Sequence, residues 1–226
     1  MAQRQNAPAG KILTTTNMTM EKEINKLVFG QDDDAFWRQF SIENNGTYII
    51  GEYDNLNSVE ITYLNHKIIF DNYIRYQVIG TQSFDTKFTR VRLEFKSPDE
   101  LIFKLTRQGL IDSIGKLFGI QDIQINDKEF DNQFIIKGND ETKIKTIFSD
   151  QTIQNLILLQ KDIQLQILYK VGIFDEPVEN GNAMLYYISE TTIKQTEQLD
   201  LLLKLFKALI DVITKLNSMK PIKAYG

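Results

Sequence analysis

The middle of the chain has the alternation of β-strands. Between Thr47 and Thr106, short runs rich in β-branched and aromatic residues are separated by turns that contain Gly, Asn or Asp. The runs are TYIIGEY, VEITYL, KIIF, IRYQVIG, FTRVRLEF and ELIFKL. These residue types favour strands, and Gly, Asn and Asp favour the turns between them. The pattern predicts an antiparallel meander.

The alternation is clearest in TRVRLEFK. Its apolar positions are Val91, Leu93 and Phe95, and its polar positions are Arg90, Arg92 and Glu94. A strand of this kind packs one face on the core and turns the other toward water.

Helical spacing occurs on both sides of this region. Thr19 and Gly30 are placed to start and stop a first helix. Asp32 to Asp34 suit the electropositive first turn of a second helix, which would bury Phe36, Trp37 and Phe40. In the last third, IQLQILYKVGIF and AMLYYISE predict strands, and a final helix is predicted from about Thr192 to Asn217.

This final helix has one narrow polar stripe. The stripe consists of Asp200, Lys204, Lys207, Asp211 and Thr214, and nearly every other residue from Leu199 to Leu216 is apolar. Most of its circumference must therefore be covered, by the sheet and by something more.

The segment from Gly109 to Asp140 is punctuated by glycine. Leu110, Ile111, Ile114, Leu117 and Phe118 form one helical stripe that Gly119 ends. A short strand IQDIQI, a turn carrying Phe130 and a strand through Phe134 and Ile136 follow. In the turn Gly138-Asn139-Asp140 that follows, Asn139 or Asp140 can cap a helix through Phe148, and a further helix is predicted from Gln151 to Gln160.

Together these elements predict an α+β fold. We expect a mostly antiparallel, strand-rich core with flanking helices and a long, largely buried C-terminal helix. Residues 1–18 are polar and aperiodic and are predicted to form a flexible tail. Residues 19–226 are predicted to form a single domain, and two lobes, 19–160 and 161–226, are the alternative.

Composition narrows the functional classes. The chain has 226 residues, of which 42% are hydrophobic and 25% are charged, as is ordinary for a globular protein. No apolar run is long enough to cross a bilayer as a helix. The absence of cysteine fits a reducing compartment, and a cytoplasmic location is expected. A net charge of −4 argues against nucleic acid as a partner.

The sequence offers few candidates for catalytic or metal-binding residues. His66, the only histidine, stands at the start of a predicted strand, where a structural role is expected. Weak candidates for a metal site are Asp122, Asp127 and Asp131, together with Glu129. Their spacing does not match the calcium-loop pattern. We therefore expect these carboxylates to shape turns. The patterns GxGxxG, GxSxG and HExxH do not occur. No cofactor and no catalytic residue are predicted.

Two function hypotheses follow. The first is a non-enzymatic binding or assembly protein, a homodimer through the apolar face of the 199–216 helix, with Leu202 and Phe206 as contacts. The second is a peripheral membrane protein that uses the amphipathic helix 109–119, with Leu110, Ile114, Leu117 and Phe118 facing either lipid or core. Packing on the sheet is expected for that helix, because strands hold it at both ends. An enzyme ranks third.

Residues 65–160 resemble a family of uncharacterised bacterial proteins related to the domain of unknown function DUF3137. The resemblance is carried by HKIIFDNY, FTRVRLEF, GLIDSIGKLFGIQDI and FDNQFIIKGND, and by the helix with its following QTIQNLI. It covers less than half of the chain. The resemblance implies no catalytic residue, since the family has no assigned mechanism.

Overall fold

A computed structural model of the chain describes residues 33–51, 57–79, 82–109, 121–171, 176–179, 181–189 and 191–218. The chain divides into two compact units, Met1–Ala35 and Phe36–Gly226, and the second contains the sheet. The predicted tail, the predicted helix at 19–30 and residues 110–119 of the predicted helix at 109–119 lie outside the described residues.

The described strands are, in chain order, β1 Thr47–Ile49, β2 Ser58–Tyr63, β3 His66–Ile79, β4 Gln82–Lys96, β5 Phe103–Arg107, β6 Gln121–Ile123, β7 Phe134–Gly138, β8 Gln164–Leu168, β9 Lys170–Val171, β10 Glu176–Pro177 and β11 Asn182–Ser189. The described helices are α1 Asp33–Glu43, α2 Lys128–Asp131, α3 Glu141–Phe148, α4 Gln151–Leu158 and α5 Thr196–Ser218.

Nine of these strands form one sheet in the order β1-β2-β3-β4-β11-β8-β5-β7-β6. Every neighbouring pair is antiparallel. Strands β11 and β8, from the last third of the chain, lie between β4 and β5, and β9 pairs with β10 in a separate ribbon. The prediction of an α+β fold with a mostly antiparallel sheet is confirmed.

One face of the sheet carries the core. In β4 the buried residues are Val91, Leu93 and Phe95, as the alternation predicts. Leu93 lies opposite Ile68 of β3 and Leu185 of β11, so apolar side chains continue from strand to strand. Residues of α1, α3, α4 and α5 join the same hydrophobic cluster. Trp37 and Phe40 of α1 are buried as predicted, and Phe40 packs edge-to-face on Phe70 at 5.0 Å.

Helix α5 is largely buried, as its composition predicts. Leu199, Leu202, Leu205, Phe206 and Leu209 have no exposed surface. The predicted stripe faces outward, with Lys204, Asp211 and Thr214 exposed and Asp200 and Lys207 half-buried. Two of its acids are tethered: Asp200 accepts a hydrogen bond from Asn44 Nδ2 at 2.9 Å, and Asp211 accepts one from the Tyr63 hydroxyl at 3.0 Å.

The turn before α3 is built by two adjacent side chains. Asp140 caps the helix by accepting the Lys143 N–H at 3.0 Å. Asn139 accepts the Ile102 N–H at 2.8 Å and donates from Nδ2 to the Glu100 carbonyl at 2.8 Å, which fixes the loop before β5. Gly138, predicted in the turn, is instead the last residue of β7, where an added Cβ would lie 2.7 Å from the Ile102 carbonyl oxygen.

Several predicted boundaries were wrong. The predicted turn around Phe130 is the single-turn helix α2, and the final helix begins at Thr196 rather than near Thr192. The largest difference concerns KIIF and IRYQVIG, which were predicted as separate runs and form the single strand β3. Strand β4 likewise begins six residues before Phe88, the first residue of its predicted run.

Candidate functional site

The residues predicted as binding contacts fall into two groups. Leu110, Ile114, Leu117 and Phe118 lie outside the described residues. Leu202 and Phe206 are fully buried against the single chain's own core. Their contact with a second subunit stays a prediction, and it would require α5 to leave the sheet.

Two of the acidic candidates accept hydrogen bonds from the backbone of their own turns. Asp127 caps α2 by accepting the N–H groups of Glu129 and Phe130 at 3.0 and 3.1 Å. Asp131 accepts the N–H groups of Ile125 and Asn126, each at 3.0 Å. These bonds are the turn-shaping role that the sequence predicts for both residues.

The remaining polar candidates stand apart from these turns. Asp122 is exposed and lies 3.3 Å from Lys137 Nζ. His66 is half-buried at the start of β3, and its Nδ1 lies 3.1 Å from the Glu94 carbonyl oxygen. Within the described ranges, no group of three or more His, Cys, Asp or Glu side chains is arranged to hold a metal ion.

The most distinctive feature of the sheet is the length of β3 and β4. Strand β2 accompanies β3 only as far as Asp71, which lies opposite Ser58. Strand β11 accompanies β4 only from Thr89, which lies opposite Ser189. Beyond these points β3 and β4 continue as seven residue pairs, from Tyr73 opposite Phe88 to Ile79 opposite Gln82. We call residues 73–88 the β3–β4 arm.

Within the described residues, the β3–β4 arm is a two-stranded ribbon. Seven residues per strand correspond to roughly 20 Å at about 3.4 Å per residue. Among the described residues, no third strand pairs with either strand of the arm. A strand edge without a ladder partner presents backbone N–H and C=O groups that can accept a further strand. An isolated two-stranded ribbon is marginal in water, and three or more strands are needed for independent stability.

The root of the arm contains a charged cluster on the sheet face opposite the core. Asp71 is 4% exposed and lies opposite Arg90 in the ladder. Arg90 binds it with two hydrogen bonds, Nε to Oδ1 at 2.7 Å and a terminal nitrogen to Oδ2 at 2.8 Å. Arg92 donates to the same Oδ2 at 2.6 Å. Two arginines thus share one buried carboxylate, in a geometry that favours a fixed register between β3 and β4.

The pKa values of the two guanidinium groups shift in opposite directions. Burial lowers the pKa of Arg90, but its two bonds to Asp71 outweigh that effect and raise the pKa overall. Burial and the charge of Arg90 lower the pKa of Arg92, and its attraction to Asp71 only partly offsets them. Burial also raises the pKa of the neighbouring Tyr186 hydroxyl. Arginine stays protonated at any ordinary pH, so the cluster holds two cations and one anion.

The core-facing side of the root is a neutral hydrogen-bond network. Asn72 and Thr89 lie opposite each other and are buried. The Thr89 hydroxyl donates to Asn72 Oδ1 at 3.2 Å and accepts the Ile193 N–H at 2.8 Å. Polar bonds therefore connect β3 and β4 on both faces of the root, and they fix the register in which the arm leaves the sheet.

Sequence reasoning missed the arm because Asp71-Asn72 has the composition of a turn. Asp and Asn are depleted in strands and favoured in turns. Their place in β3 depends on Arg90, Arg92 and Thr89, which are 17 or more positions away in the sequence. The one local signal was the lack of any Gly or Pro from His66 to Ile79.

Among the described helices, none combines the length and apolar character needed to cross a membrane. Comparison with protein-family models, curated proteins and solved structures found no match to this chain. The relation to the DUF3137 family therefore stays a prediction.

Proposed function

We propose that this chain is a non-enzymatic assembly protein that joins another polypeptide by strand pairing along the β3–β4 arm. The observation that carries the proposal is the continuation of β3 and β4 for seven residue pairs beyond their neighbouring strands. Addition of a strand to an exposed sheet edge is a common mode of protein recognition, in which main-chain hydrogen bonds supply the affinity.

Energetics favour this use of the arm. A ribbon of two strands orders its backbone at a cost of about 1–2 kcal/mol per residue. Each ladder hydrogen bond returns only about 0.5–1.5 kcal/mol. A further strand adds a second ladder of hydrogen bonds, so pairing offsets more of the ordering cost than the ribbon alone does. The hydrogen bonds at the root fix the register of the arm before a partner arrives, and such preorganisation lowers the entropy lost on binding.

The other chemistry of the described residues supports a binding role. Asp127 and Asp131, the best candidates for an acidic site, bond the backbone of their own turns. Asp71, the most buried carboxylate described, is held by two arginines that fix strand register. A peripheral membrane role for residues 109–119 stays a prediction.

Site-specific photo-crosslinking in cells tests the proposal without assuming the partner. A photoreactive phenylalanine analogue placed at Thr86, which is exposed on the arm, is expected to give a covalent adduct with a second polypeptide. The same analogue at Thr146, exposed on α3, is the matched control and is expected to give none. Absence of an adduct specific to position 86 would contradict the proposal.

A shortened arm provides the companion variant. Ile74 and Lys87 lie opposite each other, so an Asn-Gly turn can replace residues 75–86 and close the hairpin while Asp71, Arg90 and Arg92 remain. We expect the sheet to keep its thermal transition within a few degrees, because no described residue of the core cluster falls within 75–86. We also expect the partner to be lost. A shortened protein that retains its partner would show that the contact lies elsewhere.

A further inference from the structure

The turn between α1 and the edge strand β1 contains Asn45 followed by Gly46. We infer that this pair is a site of spontaneous deamidation, the conversion of the asparagine amide to an acid, and that the folded turn keeps the site closed. Detachment of the end of α1 opens the site, and the reaction then opposes re-formation of the turn. The modification therefore records local unfolding at one edge of the sheet.

The turn has the hydrogen bonds of a Schellman motif. The Gly46 nitrogen donates to the Ser41 carbonyl oxygen at 2.7 Å, and the Asn45 nitrogen donates to the Ile42 carbonyl oxygen at 3.4 Å. The φ angle of Asn45 is 52°, in the left-handed region. This position of the motif favours glycine and, less often, asparagine. The end of the helix thus explains why an asparagine is tolerated here.

The glycine is required by the neighbouring strand β2. A Cβ atom at Gly46 would lie 2.9 Å from Ile61 Cγ1 and 3.0 Å from the Glu60 carbonyl oxygen. A side chain at this position would force the turn or β2 to shift. The fold therefore places glycine directly after asparagine. Attack on the asparagine side chain is least hindered in this dipeptide, because glycine has no Cβ and its backbone is permissive.

The reaction starts at the backbone nitrogen of Gly46. This nitrogen loses its proton to a base from solvent and attacks Cγ of Asn45. The new N–Cγ bond closes a five-membered succinimide, and the Cγ–Nδ2 bond breaks to release ammonia. Water then opens the ring at one of its two carbonyl groups. Opening at Cγ gives aspartate, and opening at the main-chain carbonyl gives isoaspartate, in which the backbone runs through Cγ.

The folded turn opposes the first step of this reaction. The N–H of Gly46 that must lose its proton is bonded to the Ser41 carbonyl oxygen. The packing of Gly46 on β2 also prevents its nitrogen from moving toward Cγ. Asn45 is exposed, so water reaches its side chain as soon as the turn opens. The rate therefore follows the fraction of molecules in which the turn is open.

Both products oppose re-formation of the turn. Isoaspartate inserts an extra carbon into the backbone between the two nitrogens whose hydrogen bonds define the helix end. Aspartate places a negative charge at the C-terminal end of α1, where the helix dipole is also negative. A chain that has reacted is therefore expected to hold the end of α1 less firmly than an intact chain.

Peptide mapping by mass spectrometry measures the reaction at each position. The sequence contains another Asn-Gly pair, Asn180-Gly181, which is the internal reference for the unfolded protein. In concentrated urea we expect both pairs to react at similar rates. In the folded protein we expect position 45 to react about a hundredfold more slowly than in urea, because opening of the turn limits the rate. Equal rates at position 45 under the two conditions overturn the inference.

Two variants test whether opening of the turn controls the rate. Asn44 Nδ2 donates to Asp200 Oδ1 at 2.9 Å, which ties the turn to α5, and Phe40 is fully buried. Asp200→Ala and Phe40→Ala are each expected to raise the rate at position 45 severalfold. Gln39→Ala, at an exposed position of the same helix, is the matched control and is expected to leave it unchanged. If Phe40→Ala unfolds the chain, Asp200→Ala decides, and an unchanged rate in that variant overturns the inference.

Discussion

Phe206→Asp is expected to unfold the chain rather than to release a folded subunit. Phe206 has no exposed surface and belongs to the core cluster under the sheet. Truncating a buried Phe costs about 3–5 kcal/mol, and an unpaired buried charge adds several more. The total is comparable to the stability of a whole domain, about 5–15 kcal/mol. Far-ultraviolet circular dichroism with urea titration measures the loss.

The same helix supplies the control for this variant. Lys204→Asp changes an exposed residue of the α5 polar stripe and should alter the free energy of unfolding by no more than about 0.5 kcal/mol. A Phe206→Asp protein that stays folded while its mass falls from dimer to monomer would identify α5 as the subunit contact. It would also contradict the burial described here.

Asp71→Ala is expected to lower the free energy of unfolding by about 3 kcal/mol, since removing one partner of a buried ion pair leaves an uncompensated charge. Two guanidinium groups lose their shared carboxylate in this variant. The side chains of Arg90 and Arg92 are 18% and 28% exposed, so partial hydration keeps the effect at the lower end of the range for buried pairs. Urea denaturation of the variant and the wild type measures the difference.

Two comparisons show whether charge burial causes this loss. Asp122→Ala removes an exposed carboxylate that pairs with Lys137 and should change the stability by at most about 1 kcal/mol. Replacing Asp71, Arg90 and Arg92 together by apolar residues should restore much of the stability, because the uncompensated charges are gone. Equal losses for Asp71→Ala and Asp122→Ala would contradict the role assigned to the cluster.

The sequence predicts those parts of the fold that local chemistry determines. Spacing predicts the α5 stripe and the burial of Trp37 and Phe40. Turn chemistry predicts a cap at Asn139 or Asp140, and Asp140 is the residue that caps the helix. The alternation in β4 predicts which residues face the core. The roles of Asp127 and Asp131 in their turns were likewise predictable from composition.

The candidate site could not be predicted in this way. Asp71-Asn72 has the local preference of a turn, and the arginines and Thr89 that hold it in a strand come from the next strand. Strands β2 and β11 end beside the root of the arm, and their positions there depend on the order of the nine strands in the sheet. The apolar face of α5 is a second example. Its width shows that the face must be buried, but it does not show whether the chain's own sheet or a second subunit buries it.

The β3–β4 arm is proposed to bind another polypeptide by strand pairing. Amide hydrogen exchange of residues 82–88 tests this proposal most directly, measured in the purified protein and in the complex with the polypeptide that crosslinks at position 86. We predict fast exchange in the purified protein and protection in the complex, while residues 91–95 in the middle of the sheet stay protected in both. Exchange of residues 82–88 that is the same in both samples would contradict the proposal.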